Sequence, residues 1–149
     1  NSRPWMGPKF WCPDMQGTSD GNNYKVFRYA DAILMAAECL NELDRDEEAL
    51  VYLNKTRNRA GIGDYTYRTH IRLQDEIRNE RSRELFGEFQ RKYDLVRWGT
   101  FYQVLSESTD YQARTDNLKP CHEYYPIPDK EVVYSKYALD NKAYNACGL

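Results

Sequence analysis

The stretch Leu73-Gln-Asp-Glu-Ile-Arg-Asn-Glu-Arg-Ser-Arg-Glu-Leu-Phe-Gly-Glu-Phe-Gln-Arg-Lys-Tyr-Asp-Leu-Val-Arg-Trp-Gly99 decides the fold. Its first half reads as a helix, with Leu73, Ile77 and Leu85 marking an apolar stripe. Glu80, Arg81 and Glu84 fall inside that stripe rather than opposite it. Charge on a contact face is costly unless it is paired. Arg83, Arg91, Asp94 and Arg97 follow closely and supply partners. The spacing therefore predicts a helix whose contact face carries an ion-pair lattice built from Glu80, Arg81, Glu84, Arg91, Asp94 and Arg97. Gly87 interrupts the pattern, as a cap or as a close backbone approach. A second run sets Leu95, Trp98, Tyr102 and Leu105 on one side, predicting a helix from Arg91 to about Leu105.

Upstream, a helix is predicted from Val26 to about Leu43, with Val26, Tyr29, Ile33, Ala36 or Ala37, Leu40 and Leu43 inward. Asp44 to Glu47 reads as an N-cap with an acidic third position. The helix it opens runs to about Ala60, with Ala49, Leu50, Leu53 and Ala60 inward, and Gly61 and Gly63 end it. Two helices joined by a short turn, with Ala37 and Ala49 at the small-residue positions, fit the roughly 34-residue tetratricopeptide frame. No second copy occurs, and one such hairpin cannot bury its own faces.

The rest is less regular. Residues 1–23 hold three prolines, three glycines and two of the three tryptophans, and read as a loop. Pro120 to Pro128 is extended and turn-rich. Asp129 is placed to cap a short helix through Ser135, and the tyrosine-rich tail reads as irregular.

Composition narrows the function. The chain has 149 residues and a formal net charge of -2, from 21 basic and 23 acidic residues. One domain of this length can bury roughly 68–70% of its unfolded surface. The charge balance gives no reason to expect nucleic acid. Four scattered cysteines, Cys12, Cys39, Cys121 and Cys147, allow three disulfide connectivities, and sequence does not choose among them. Cys39, on a helix, reads as a small buried thiol. Cys121 and His122 lack the spacing of short-loop zinc sites, so no metal and no cofactor is expected.

Two chemistries deserve weighing. Glu80 and Glu84 stand one helical turn apart, about 5–6 Å between Cβ atoms. That is near the separation of about 5–5.5 Å used by retaining glycoside hydrolases. Arg81, Arg83 and Arg91 crowd both, however, and would keep both ionised, leaving no general acid. Trp5, Trp11, Tyr65 and Tyr67 lie on loops, where a flat ring can stack on a sugar or pack as a lid on the helices.

Residues Glu80 to Gly99 resemble the signature "ERRxELxxEGxRxxDLxRWG" of the SusD/RagB family of Bacteroidetes surface glycan-binding lipoproteins. Arg28 to Glu38 is similar to that family's "RYADVLLMxAE" helix. Tyr124 to Pro128, with Glu131, Asn141 and Tyr144, is similar to its closing "PIPxxE…NPGY" tail. Two departures are visible: Phe89 stands where the family has Gly, implying a less tight turn, and Asn141-Lys142 replaces the usual Gln-Asn-Pro.

The resemblance implies a mostly α fold, a tetratricopeptide-like hairpin packed on further helices with long irregular N- and C-terminal loops. It implies that residues 1–149 are the C-terminal part of a SusD-like domain whose larger N-terminal part lies outside this sequence. Within them, residues 26–61 would be the hairpin, 69–105 a kinked helix pair and 106–149 a loop-rich closing segment. It also implies a non-catalytic protein that binds an oligosaccharide or starch-type polysaccharide for nutrient uptake. The implied partner is a SusC-like TonB-dependent transporter in the outer membrane. Attachment to that membrane would run only through an N-terminal lipid beyond this stretch. The alternatives are a helical-repeat adaptor for protein partners and, less favoured, a hydrolase using Glu80 and Glu84.

Overall fold

The computed structural model describes residues 9–10, 25–66, 69–108 and 117–147. Among them the chain is mostly helical and contains no strand. Three longer helices form the body: α1 (Tyr29–Glu42), α2 (Asp46–Arg59) and α3 (His70–Glu84). Leu34, Ala37, Ala49, Leu53, Leu73 and Ile77 make one buried core between them. Each buried leucine or isoleucine contributes roughly 1.5–3 kcal/mol of transfer free energy. Ala37 and Ala49, both fully buried, let α1 and α2 approach closely.

α1 begins later than its apolar spacing predicts, and it is rotated. Val26, Tyr29 and Leu43, expected inward, are 72%, 78% and 65% exposed. The buried face is instead Ala30, Leu34, Ala37 and Asn41, with Asp31 and Glu38 among them. Two overlapping helical stripes exist in this sequence. The one that wins brings Asp31 and Glu38 to arginines on other helices, and buries Asn41 against Asp46 and His70 at 2.8 and 3.2 Å. Cys39 consequently lies on the exposed side, not in the core.

Asp44 ends α1 rather than opening α2. It adopts φ 57°, and the amides of Asp44 and Arg45 return to the carbonyls of Asn41 and Leu40, both at 2.9 Å. This is a Schellman closure. Gly61 ends α2 the same way, and Ala60, expected inward, is exposed. Thr69 caps α3, its hydroxyl accepting from the Arg72 amide.

The predicted helix from Arg91 to Leu105 is broken in two, α4 (Arg91–Arg97) and α5 (Phe101–Ser106). Gly99, at φ 67°, lets the chain close on the Leu95 and Val96 carbonyls. Leu95 and Phe101 are buried, whereas Tyr102 is exposed.

The closing segment has more local structure than its sequence suggests. A 3-10 turn (Pro120–Glu123) precedes α6 (Asp129–Tyr134) and α7 (Lys142–Ala146). Asp129 is the first helical residue and makes no side-chain cap. A Cys121–Cys147 disulfide ties the segment's ends, settling one of the pairings left open by the sequence. Asn141 clamps Ile127 through both its amide and its carbonyl at 2.8 Å.

Candidate functional site

Three ionic clusters follow α3 along its length. The most buried lies where α1, α3 and α4 meet. Arg81 donates two hydrogen bonds to Asp94, at 3.0 and 3.1 Å, and its Nη1 lies 2.8 Å from Asp31 as a charge contact without hydrogen-bond alignment. Arg97 donates to Asp94 and to Glu38, and the Trp98 indole N–H donates to Glu38 at 2.7 Å. Burial pushes the Glu38 carboxyl up, but the hydrogen bonds from Arg97 and Trp98 outweigh it and hold the group below the usual carboxylate range.

A second cluster surrounds the end of α3. Arg28 reaches Glu88 at 2.6 and 2.8 Å and Glu84 at 2.9 Å. Lys9 donates to the carbonyls of Glu84 and Phe86 and also pairs with Glu88. Arg59 donates to the other Glu84 oxygen. Burial raises the Glu88 carboxyl, and Arg28 and Lys9 more than reverse that. The third cluster joins Arg57 and Arg83 to Glu76 and Glu80.

Gly87 marks the close approach. It has φ 77°, and a Cβ there would sit 2.3 Å from Cζ of Phe10. Two residues on, Phe89 takes φ 61° with its ring largely exposed. The tight left-handed turn that its side chain was expected to loosen is kept, at the steric cost of a Cβ in that region.

Five of the six residues expected in the ionic lattice, Glu80, Arg81, Glu84, Asp94 and Arg97, take part in these ion pairs. Arg91 makes no ion pair among the described residues. Both oxygens of its neighbour Asp94 are already engaged by Arg81 and Arg97. Its guanidinium lies instead 5.6 Å from the Trp98 ring centroid. Sequence reasoning missed Asp31, Glu38, Arg28 and Glu88. Asp31 and Glu38 stand seven residues apart, which puts them on one helix face, a signal that the apolar pattern hid.

Glu80 and Glu84 are both enclosed by arginines. Their side chains are 3% and 9% exposed and each touches two guanidinium groups.

The SusD family profile matches residues 9–144. The chain belongs to the SusD family. Among curated proteins it is similar to three SusD-like proteins of Formosa agariphila. It is 36% identical to SusD-like protein P25 over 95% of this chain and 28% of that protein. It is 34% identical to SusD-like protein P2 over 84% of this chain and 26% of that protein. It is 36% identical to SusD-like protein P38 over 65% of this chain and 21% of that protein. This SusD-family chain therefore spans little more than a quarter of the length of the first two of these relatives. No solved structure matches it.

Of the rings expected to meet sugar, Trp5, Trp11 and Tyr67 lie outside the described residues. Tyr65 is half-buried and packs against the helical core, with Arg57 5.7 Å from its ring centroid. Its hydroxyl donates to the Arg72 carbonyl, and its amide donates to the Asn54 side chain at 2.8 Å. It covers the α2–α3 junction. The rings most open to solvent are elsewhere, among them Tyr124, Tyr125, Tyr134 and Tyr137.

Proposed function

We propose that this chain is part of a surface-exposed, lipid-anchored outer-membrane protein that binds oligosaccharides without cleaving them. It passes them to a SusC-like TonB-dependent transporter in the service of nutrient uptake. The observation that carries this reading is the SusD-family match across residues 9–144. The hairpin 26–61 serves as tetratricopeptide-like scaffold, and aromatic rings supply sugar contacts. Trp5, Trp11 and Tyr67 are the proposed contacts, with Tyr65 offering only the part of its ring that packing leaves open.

Two further observations support it. A retaining hydrolase needs one carboxyl to donate a proton to the leaving oxygen. Glu80 and Glu84 are instead committed to arginines that link the helices. The Cys121–Cys147 bond fits a location outside the cytosol, where disulfides persist.

A glycan array tests the reading. Retention of at least one oligosaccharide class, recovered chemically unchanged after long incubation, is expected. Shortened products would overturn the non-catalytic part, and no retention on any glycan would overturn the reading itself.

A further inference from the structure

The helix α1 has two apolar sides, and its packing with α2 and α3 uses one of them. Ala30, Leu34, Ala37 and Asn41 face the core. The other side is the stripe Tyr29, Ile33, Ala36, Leu40 and Leu43, at steps of four, three, four and three. Tyr29 and Leu43 are largely exposed, and Ile33, Ala36 and Leu40 are half-buried. Met35, 38% exposed, and Cys39 widen the open side.

No charge interrupts that stripe. The acidic residues of α1 are Asp31, Glu38 and Glu42, and the helix has no basic one. Asp31 and Glu38 are buried in the central ionic cluster. Glu42 ends the helix, where it accepts from Gln74 at 2.8 Å. The helices α2 and α3 differ. Outside their buried positions they carry mostly charged and polar side chains, as solvent-facing helices do. A helix that is apolar on nearly every side belongs inside a larger packed body.

Spacing and side-chain size specify the occupant. Steps of three and four form a ridge that a second helix can follow. Ala36 lies at the middle of the stripe, with Ala32 beside it. Small side chains there permit the close approach that Ala37 and Ala49 give to α1 and α2. A face without charge suits a permanent contact, since obligate interfaces are the more hydrophobic ones. A tetratricopeptide-like hairpin buries its faces by stacking on neighbouring units. The curated relatives have the length to supply a neighbour, because this chain spans only 28%, 26% and 21% of them.

We infer that the outer stripe of α1 seats a further helix, contributed by a part of the same polypeptide outside these 149 residues. That helix turns apolar side chains, at three- and four-residue steps, onto Ala36. The inference rests on the reading above only in taking the chain as part of a longer protein; which glycan is bound, and where, is separate.

Photo-cross-linking in the full-length protein tests this. Tyr29→benzoylphenylalanine and Leu43→benzoylphenylalanine each place a light-activated group at one end of the stripe, where the side chain is already exposed. Both variants are expected to cross-link within their own polypeptide, without a doubling of mass on a denaturing gel. Mass spectrometry should find both attachment points on one segment outside the 149 residues. They should lie about 14 residues apart, since the two ends of the stripe are about 21 Å apart along the axis at about 1.5 Å per residue. Attachment to two unrelated segments would overturn the single helix. So would a cross-link to residues of this chain, a doubled mass from a second copy, capture of a different protein, or no cross-link at all. If one variant fails to fold, the other decides, by whether the captured segment lies outside the chain and carries apolar residues at helical spacing. The glycan array above is unaffected by any of these results, so the two readings fail separately.

Discussion

The helices α1 to α4 and the closing segment 117–147 are held together by different means. Every buried hydrophobic and every buried charged side chain among the described residues lies between Ala30 and Phe101. There, ionic groups can be interior because packed helices fix their geometry and each carboxylate meets guanidinium groups that are already in place. In segment 117–147 no residue is buried. Its short helices bury no side chain fully among the described residues, and helices of five or six residues are not stable by themselves. A disulfide, the Asn141 clamp and local turns take over. Where a core is present, electrostatics sets the register of the helices; where it is missing, a covalent tie limits the chain.

The comparison can be broken hardest at Arg81. Arg81→Met leaves Asp31 and Asp94 buried without their shared cation, and a loss of about 3–5 kcal/mol is expected. Urea unfolding followed by circular dichroism measures it. A loss under 1 kcal/mol would mean that the central cluster is not a buried network.

Next in size is the disulfide. Replacing Cys121 and Cys147 by Ser removes a constraint on a loop of sequence separation 26. It should release about 3 kcal/mol of chain entropy into that segment. Amide exchange should speed up over residues 117–147 while the urea midpoint of α1 to α4 stays put. A fall in that midpoint would show that the two regions are one cooperative unit.

Acid should act on the helical region gradually. Glu38 and Glu88 have folded-state pKa values below the 4.5 of a free glutamate. A depressed carboxylate contributes stability that is complete above its unfolded pKa and is lost as the pH falls through the folded value. The unfolding midpoint should therefore be flat from neutral pH to about 5 and drop below about 4.5. An Arg97→Met variant should flatten that drop.

The smallest effect sharpens the turn between α3 and α4. Phe89→Gly should stabilise by about 1 kcal/mol, since φ 61° suits glycine. A destabilised variant would mean that the Phe89 ring packs usefully.

Much of the helical region was legible. Leu73, Ile77 and Leu85 recur at helical spacing, and charges placed among them called for partners. The closing tail was not legible, because α7 and the Cys121–Cys147 pairing depend on contacts across the segment rather than on local pattern. For the site, arginine and glutamate side by side signalled ion pairing. Nothing in their spacing showed that Arg91 would be left over, because Asp94 can satisfy two guanidinium groups and three compete for it.

The amino-acid order alone fixed the helical class, the α1–α2 hairpin, the breaks near Gly61 and Gly87, and the family resemblance. These rest on periodicity, glycine geometry and motif, which are local properties. Only the folded arrangement decided which of two stripes on α1 turns inward, where the chain breaks at Gly99, and which guanidiniums around Trp98 make ion pairs among the described residues. Those outcomes come from competition among distant groups for a few buried partners, and no local stretch contains both sides of that competition.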